Sequence, residues 1–433
     1  MKIVIAVHHF PPRYSGGAEL RAWRTAAALQ ARGHDLRVVC VEAIDYDPAQ
    51  GALETTLETF EEIPVHRLRF NLNKAPDRFQ WNYANPWIGD YLRRELPNWQ
   101  PDVFHLIGGY LMSAEALAAA RQHHIPRVVS LTDYWWLCPR IQLLRSDGSL
   151  STLPINPVRC ARCLGEEQRR YRLPARYAPG LMEAFWRFQR GKIRRIGERI
   201  NHLRLELNQA NQIICPSRFV LDIHRQAGID SGRLVYARQG RDFPGLAPEM
   251  LEKAPAERLR VGYIGQITEI KGVHVLFQAA RQMTQAPLKV KAYGDTTPFP
   301  TYTATLQRMA AQDERLELCG IYPRSEVSRV FQNLDVLVVP SLWYENSPNV
   351  ILEAFAHRTP VIAADLGGMA ELVQHEQNGL LFAPGDAAGL AHQLQRLCED
   401  PALLARLQSG IEPVKGTHEE LDELETIYRQ VSA

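Results

Sequence analysis

Short apolar runs rich in β-branched residues alternate along the chain with longer amphipathic stretches. The first run spans residues 2–7, and Ala18 to Arg32 then has the pattern of a helix that stops at Gly33. Strand-like runs follow at residues 35–41, 101–108, 127–133 and 210–217, and again at 258–266, 288–295, 315–320, 335–341 and 360–364. Such alternation of strands and helices predicts an α/β protein with parallel sheets.

The two series of strands predict two domains, as does the length of 433 residues, because single cores rarely grow that large. Residues 1–240 form the expected first domain, in which 210–217 is the last strand. The segment QGRDFPGLAPEM begins a linker, placed at residues 241–257. Residues 258–412 form the second domain, and 413–433 read as a charged amphipathic helix.

Two glutamates flank the start of one predicted helix. The buried strand 335–341 is followed by a loop containing Glu345, and Glu353 lies in the helix that begins at Asn349. Open α/β sheets bind ligands at the carboxyl ends of their strands. The free amides of Asn349 and Val350 at the helix start favour an anion.

The segment PSLWYENSPNVILEAFAHRTPVIAADLGGMAEL resembles the signature of the retaining nucleotide-sugar glycosyltransferases of family 4 (glycosyl transferases group 1). The resemblance implies the GT-B fold, with two Rossmann-like domains facing each other across a donor-binding cleft and a last helix that crosses back to the first domain. It also implies that Glu345 contacts the hydroxyls of the donor sugar and that Glu353 holds the ribose hydroxyls. The simpler alternative is two surface glutamates beside a core helix.

Two further motifs fit the same resemblance. In YIGQITEIKGVHVL, Lys271 takes the place of a cation that neutralises the donor diphosphate, but Gln266 stands where the family usually has Arg. Lys271, or another cation such as Arg324, must then supply the missing charge. In PPRYSGGAEL, Gly16 and Gly17 let the backbone approach the donor diphosphate and the acceptor. The alternatives are a solvated lysine and a plain strand-to-helix turn.

The resemblance suggests further site residues less directly. Tyr322 could stack on the donor base, or simply pack. In TDYWWLCP, Asp133 is the candidate for activating the acceptor or shaping its site, although it could equally cap the next turn. Thr132 stands where relatives more often have His, and His105 lacks the second His of the usual H-x-H pattern. The usual proposal for this family is a front-face transfer, which needs no enzyme nucleophile.

Seven cysteines at uneven spacing suit a reducing compartment better than a disulfide framework. Cys160 and Cys163 form half of a zinc-binding pattern, and Cys138 could be a third ligand. A fourth ligand is missing locally, so free loop thiols are the alternative. Donor binding in this fold is expected to need no metal or other cofactor, because cations and helix N-termini meet the phosphates.

Charge is concentrated in one part of the chain. The net charge is only +2, which gives no global attraction for nucleic acid. Residues 169–204, at the end of an insertion spanning 138–204, contain eleven Lys or Arg, two Glu and interleaved aromatics such as Trp186. This segment predicts contact with an anionic membrane surface or a lipid-phosphate acceptor. The alternative is a packed helix with a solvated basic face.

The chain has no apolar run of the length that spans a membrane, and its first strand is too short for a signal peptide. We therefore expect a cytoplasmic protein, peripheral on a membrane if the basic segment binds lipid. The expected reaction moves a hexosyl unit from a nucleoside-diphosphate sugar to a hydroxyl of a saccharide or lipid-linked acceptor, as in polysaccharide or glycolipid assembly.

Two alternatives to this reaction stay open. The first is a degenerate GT-B scaffold that binds nucleotide sugar without transferring it, which Gln266, Thr132 and Ile107 favour. The second is another GT-B enzyme, such as a nucleotide-sugar epimerase or a phosphorylase.

Overall fold

The computed structural model describes residues 1–14, 16–49, 51–243 and 246–433. The chain forms two compact units, one made of Met1–Arg238 with Thr417–Ala433 and the other of Gln239–Gly416. Most of the expected linker at 241–257 therefore belongs to the second unit. Positions 244 and 245 of that linker, and Ser15 of the glycine-containing loop, lie outside the described residues.

An eight-stranded sheet organises the first unit. Its strands are β1 (Lys2–Val7), β2 (Asp35–Ala43), β3 (Leu53–Phe60), β4 (Ile63–Phe70), β5 (Val103–Ile107), β6 (Arg127–Ser130), β7 (Gln212–Cys215) and β8 (Leu234–Tyr236). The strand order is β3-β4-β2-β1-β5-β6-β7-β8. All neighbours pair in parallel except β3 and β4, which form an antiparallel hairpin at one edge.

The expectation of purely parallel sheets was wrong at one edge of this unit, the β3–β4 hairpin. The hairpin escaped notice because β3 (LETTLETF) alternates half-buried and exposed positions and contains no continuous apolar run. The expectation that residues 210–217 close the sheet was also wrong, because the three-residue strand β8 pairs beyond β7. By contrast, the central strand β1 is buried at every position after Lys2.

Nine α-helices lie between the strands of this sheet in the described part of residues 1–238. They are α1 (Gly17–Ala31), α2 (Arg78–Trp81), α3 (Pro86–Trp99), α4 (Glu115–Gln122), α5 (Pro157–Glu166), α6 (Arg169–Tyr177), α7 (Pro179–Arg187), α8 (Arg190–Asn208) and α9 (Arg218–Gln226). The basic segment 169–204 is thus three helices rather than one. Within it, Ile196 and Trp186 are buried, so part of the segment is core.

The second unit has a six-stranded sheet in which all neighbours are parallel. Its strands are β9 (Leu259–Ile264), β10 (Leu288–Tyr293), β11 (Leu316–Gly320), β12 (Val336–Val339), β13 (Val361–Ala364) and β14 (Gly379–Phe382). Their order is β11-β10-β9-β12-β13-β14. Five of these strands coincide with the predicted apolar runs; β14, a short run opened by a glycine, was not predicted.

Seven α-helices accompany the strands of this second sheet in the described residues; five connect successive strands, and the last two follow β14. They are α10 (Val273–Gln282), α11 (Pro300–Ala310), α12 (Val327–Gln332), α13 (Asn349–Ala356), α14 (Gly367–Leu372), α15 (Ala387–Glu399) and α16 (Pro401–Ser409). The helix α13 begins at the predicted residue, directly after Pro348, whose fixed φ suits a helix start. Among the described residues, each helix is either too short or too polar to span a bilayer.

The last helix, α17 (Thr417–Ser432), packs on the first unit. Its buried face includes Leu424, Ile427 and Tyr428, which join the core around β1 and β5. The Tyr428 hydroxyl lies 2.7 Å from His105 Nδ1, and His105 Nε2 lies 2.8 Å from Ser130 Oγ. His105, weighed above as a site residue, is therefore an internal partner of α17.

The buried His105 should make the first unit sensitive to acid. Burial lowers the pKa of His105 from 6.5 to about 3, so the folded state keeps the ring neutral where the unfolded chain takes up a proton. Stability from this group is complete above about pH 6.5 and is lost as pH falls toward 3, with a slope of about 1.4 kcal/mol per pH unit. Urea unfolding of wild type and His105→Phe between pH 7 and pH 5 measures that slope.

The variant should lose stability overall, because Ser130 and Tyr428 lose a partner, but its dependence on pH should be flatter than that of wild type. His392→Gln is the matched control, since His392 is exposed on α15 of the second unit, and it checks that a flatter slope is specific to His105. Equal slopes in wild type and His105→Phe would contradict the prediction.

Candidate functional site

In the second unit, three hydrogen-bond donors converge on one oxygen of Glu345. Its Oε1 accepts from Lys271 Nζ at 2.6 Å, from Ser341 Oγ at 2.9 Å and from the Trp343 indole at 2.9 Å. The residue is only 7% exposed. A carboxylate oxygen that accepts from a cation and two neutral donors is fixed in position. The sequence-predicted Lys271 and Glu345 are therefore direct neighbours.

Two glycines allow the backbone around Glu345 to pack this closely. Gly272 has φ +73°, and a Cβ there would overlap the carbonyl oxygen of Pro340 at the end of β12. A Cβ on Gly368 would overlap the carbonyl of Asn346, and the Gly368 amide donates to the Glu345 carbonyl at 2.8 Å. The glycines of the K-G and G-G motifs thus set the positions of the Lys271 and Glu345 loops.

Polar atoms without partners surround this loop. Thr268 Oγ1, Asn346 Oδ1 and Ser347 Oγ are buried and have no hydrogen-bond partner in the described part of the chain. At the start of α13, no side chain caps the helix, which leaves the amides of Asn349 and Val350 for an acceptor outside the helix. Buried polar groups normally have partners, so this arrangement suits a polar, anionic ligand.

Glu353, one turn into α13, forms an ion pair with Arg241. Both side chains are largely buried, at 11% exposure for Arg241 and 16% for Glu353. Tyr322 lies near this pair: burial, together with the negative charge of Glu353, raises the pKa of its hydroxyl. Its ring also meets Tyr293 edge-on at 5.5 Å. The predicted ribose and base residues are therefore grouped together.

The departure at Gln266 is visible in the structure. Gln266 is exposed, and its carbonyl accepts from the Tyr263 hydroxyl at 2.7 Å. The cation beside Glu353 is instead Arg241. Burial lowers the pKa of Arg241, and the charge of the exposed Arg324 acts in the same direction. Sequence reasoning missed Arg241 because it belongs to no motif and lies in the expected linker.

In the first unit, the loop after β1 and the start of α1 bring His8 and Glu19 together. His8 Nε2 lies 3.3 Å from Glu19 Oε1. Burial works against ionisation, yet the hydrogen bond and charge of His8 hold the pKa of Glu19 below its ordinary value. A Cβ on Gly16 would crowd the Glu19 carboxylate. Of the two predicted glycines, Gly16 thus makes room for Glu19, and Gly17 is the first residue of α1.

Asp133 lies at the same edge of this sheet, after β6. Its Oδ1 accepts from the Trp135 amide at 2.8 Å, as expected of a turn cap. Desolvation raises the pKa of the Asp133 carboxyl, against that bond and the nearby His8 and Thr132. His8 Nδ1 and Thr132 Oγ1 are buried without a partner among the described residues. Asp133 therefore caps the turn, as the simpler alternative predicted. The unpartnered atoms beside it are also compatible with a bound polar ligand.

His8 and Glu19 were not among the predicted site residues. Their positions gave a usable signal, since His8 directly follows the first strand and Glu19 completes the first turn after the glycine pair.

The three cysteines considered for zinc do not form a metal site. Across the described residues, no group of three or more His, Cys, Asp or Glu side chains is placed to hold a metal ion. Cys163 Sγ instead accepts from the Ser146 amide at 3.3 Å. Burial raises the pKa of the Cys160 thiol to about 12, and Cys138 is buried beside it. These residues are free thiols in the structure.

Comparison with known families follows the same division of the chain. The family described as Glycosyltransferase Family 4 matches residues 15–242, more than half of the chain. The family described as Glycosyl transferases group 1 matches residues 258–400. The chain belongs to glycosyltransferase family 4. The first match covers Gly16, Glu19 and Asp133, and the second covers Lys271 and Glu345.

Individual relatives share about a quarter to a third of their aligned residues with this chain. A 2-deoxystreptamine glucosyltransferase of Streptomyces kanamyceticus is 32% identical over 182 residues, 38% of this chain and 46% of that protein. The amylovoran biosynthesis glycosyltransferase AmsK of Erwinia amylovora is 30% identical over 174 residues, covering 36% and 41%. This chain thus spans less than half of either relative. Glycogen synthase of Mycobacterium tuberculosis is 24% identical over 433 residues, covering 94% and 88%.

Two solved structures resemble this chain over nearly its whole length. Sucrose-phosphate synthase from Thermosynechococcus elongatus has a TM-score of 0.66 at 17% identity, covering 99% of this chain and 98% of that one. Anabaena HepE in complex with UDP has a TM-score of 0.61 at 19% identity, covering 100% and 98%. At these identities the likeness shows the fold, which is the GT-B fold.

Proposed function

We propose that this family 4 protein is a retaining glycosyltransferase that moves a hexosyl unit from a nucleoside-diphosphate sugar to a hydroxyl acceptor. The observation that carries the proposal is the Glu345 carboxylate, fixed by Lys271, Ser341 and Trp343. It lies next to a helix start whose amides are free for an anion. Without a ligand, the buried polar atoms around this loop would lack hydrogen-bond partners, which is costly in a folded protein.

Each group of the second unit suits one part of such a donor. Lys271 and the start of α13 would meet the diphosphate, and Glu345 would hold the sugar hydroxyls. Glu353 would accept from the ribose hydroxyls, with Tyr322 beside the base. The UDP bound by the structurally similar HepE supports a nucleotide of this kind. No metal enters this scheme, because cations and amides meet the phosphates.

The proposed reaction replaces one bond at the anomeric carbon with another on the same face. The bond to the diphosphate oxygen breaks, the acceptor oxygen bonds to the anomeric carbon, and the acceptor proton passes to the departing phosphate. Lys271 would stabilise the negative charge that develops on the leaving group. Asp133 is our candidate for shaping the acceptor site, because its carboxyl lies among the unpartnered His8 and Thr132 atoms.

The acceptor class and compartment are also proposals. AmsK is named for amylovoran biosynthesis, which supports a saccharide or lipid-linked hydroxyl as acceptor. All seven cysteines are free in the structure, which supports a reducing compartment such as the cytoplasm. Contact of the basic segment with the cytoplasmic face of a membrane would fit that placement.

One observation favours the alternative of a nucleotide-sugar-binding scaffold without transfer activity. Gln266 supplies no charge at the position where the family resemblance leads us to expect Arg, and it is exposed. Arg241 provides a second cation in the same unit, but its charge is paired with Glu353. The two proposals differ in turnover and agree on donor binding.

Calorimetric titration with a panel of nucleoside-diphosphate sugars tests the donor proposal. We expect micromolar binding of one donor by wild type and a loss of about 10- to 100-fold in Lys271→Ala, the effect of one hydrogen bond to a charged group. Lys289→Ala is the matched control, since the half-exposed Lys289 side chain lies on β10 and pairs with Glu317. Failure of folded wild type to bind any donor would overturn the proposal.

Proton NMR of the product then tests the reaction. We expect the anomeric configuration of the donor to be kept in the glycoside. Donor binding without transfer to any acceptor in a saccharide and lipid-linked panel would favour the scaffold.

A further inference from the structure

The hairpin of α6 and α7 exposes an unusual number of apolar side chains. Of the ten large hydrophobic residues exposed in the described part of the chain, five lie in residues 173–188. They are Leu173 (46% exposed), Tyr177 (79%), Leu181 (76%), Phe185 (37%) and Phe188 (77%). Scattered exposed apolar residues are normal, but a cluster of this kind marks an interaction surface.

These side chains are exposed because the hairpin packs through its other face. Leu181 and Phe185 on α7, and Phe188 directly after it, follow the spacing of one helical face. Trp186 points the other way, is fully buried, and lies so close to Gly165 of α5 that a Cβ there would overlap its ring. Trp186 therefore anchors the hairpin to α5, and the apolar stripe on the opposite face stays exposed.

Positive charge surrounds the apolar stripe. Residues 169–204 carry a net charge of +9, so the rest of the chain carries −7 to give the total of +2. Seven of these cations are exposed and have no carboxylate partner within the described ranges: Arg169, Arg170, Arg172, Arg176, Arg190, Lys192 and Arg204. Arg199 differs from these exposed cations, because it is buried and donates to the Trp135 carbonyl at 2.5 Å.

We propose that the α6–α7 hairpin docks on an anionic lipid bilayer surface. Its apolar side chains would enter the boundary between headgroups and acyl chains, and the unpaired arginines would meet lipid phosphates. The charge distribution orients the molecule, because the rest of the chain is acidic and would be repelled by the same surface. This docking is independent of the proposed donor chemistry.

The charge pattern argues against two other occupants. A second copy of this chain would place the same +9 segment opposite itself in a twofold interface, with mutual repulsion. Nucleic acid would meet the arginines but would leave the apolar stripe without a role. A bilayer with anionic headgroups is the surface that satisfies both features.

Co-sedimentation of the full chain with vesicles tests the proposal. We expect binding to vesicles of phosphatidylcholine mixed with phosphatidylglycerol, little binding to phosphatidylcholine alone, and weaker binding at high salt. The double variant Leu181→Ser/Phe188→Ser should reduce the partition coefficient by about tenfold or more. The double variant Arg172→Gln/Arg176→Gln should reduce it by about tenfold and weaken its dependence on salt.

Leu57→Ser is the matched control, because Leu57 is 67% exposed on β3 of the same unit, and it should bind as wild type does. Circular dichroism and nucleotide titration of each variant check that the fold is intact. Wild type that stays in the supernatant with anionic vesicles would overturn the proposal, as would equal binding by wild type and both double variants. A dimer in solution that Leu181→Ser/Phe188→Ser abolishes, without vesicle binding, would assign the surface to a second copy instead.

Discussion

Replacing Glu345 by glutamine is expected to lower the turnover number for sugar transfer by about 10²- to 10³-fold, with less than about a tenfold change in nucleoside-diphosphate affinity. The carboxylate oxygen that accepts from Lys271, Ser341 and Trp343 would lose its charge. Lys271 would then have no fixed anion to orient it, and the sugar hydroxyls would lose their charged acceptor. Steady-state transfer rates and calorimetric titration with the nucleoside diphosphate measure the two quantities separately.

The matched control is Glu412→Gln, an exposed glutamate of the same unit, which should leave both quantities unchanged. If Glu345→Gln lowered affinity and spared turnover, Glu345 would be a binding residue for the nucleotide rather than for the transferred sugar. Unchanged rate and affinity would remove it from the site.

The second large effect is expected at Glu353. Truncating it to alanine should weaken nucleoside-diphosphate binding by about 10- to 100-fold, because a charged acceptor for the ribose hydroxyls is lost. It should also destabilise the second unit by roughly 3 kcal/mol, because Arg241 would remain buried without its carboxylate partner. That loss corresponds to a fall in Tm on the order of 10 °C. Calorimetric titration and differential scanning calorimetry give the two values.

A paired substitution separates the two causes. Arg241→Met combined with Glu353→Met removes both charges from the same buried place, so most of the lost stability should return. Nucleotide affinity should stay low, since neither methionine can accept from a hydroxyl. Recovery of affinity together with stability would show that Glu353 acts only by compensating Arg241.

The central strands of the two sheets gave the clearest sequence pattern. Strands such as β1 and β12 are continuous apolar runs because helices cover both sides of the sheet. The edge strands β3 and β8 were missed because their residues are only half-buried or exposed, which leaves a weak pattern. The edge strand β14 is mostly buried, but it is only four residues long and opens with a glycine. Pairing at an edge depends on the neighbouring strand, which a local pattern does not contain.

The site was predictable in part for a similar reason. Lys271 and Glu345 stand in motifs whose glycines are required by close backbone contacts, so each motif is recognisable from a short stretch of chain. That the two side chains bond each other across a separation of 74 residues was not predictable. Arg241 was missed altogether, because nothing near it in the sequence reveals that Glu353 needs a partner.

The return of α17 to the first unit has a consequence for synthesis on the ribosome. The ribosome synthesises every residue of the second unit before residues 417–432. The first unit therefore cannot complete its fold until the second unit has been made. Until then the groove over β5 exposes His105 and the apolar residues that Leu424, Ile427 and Tyr428 later cover. The second unit, continuous in sequence, can close its core first. The unit that is translated first is thus the one that matures last.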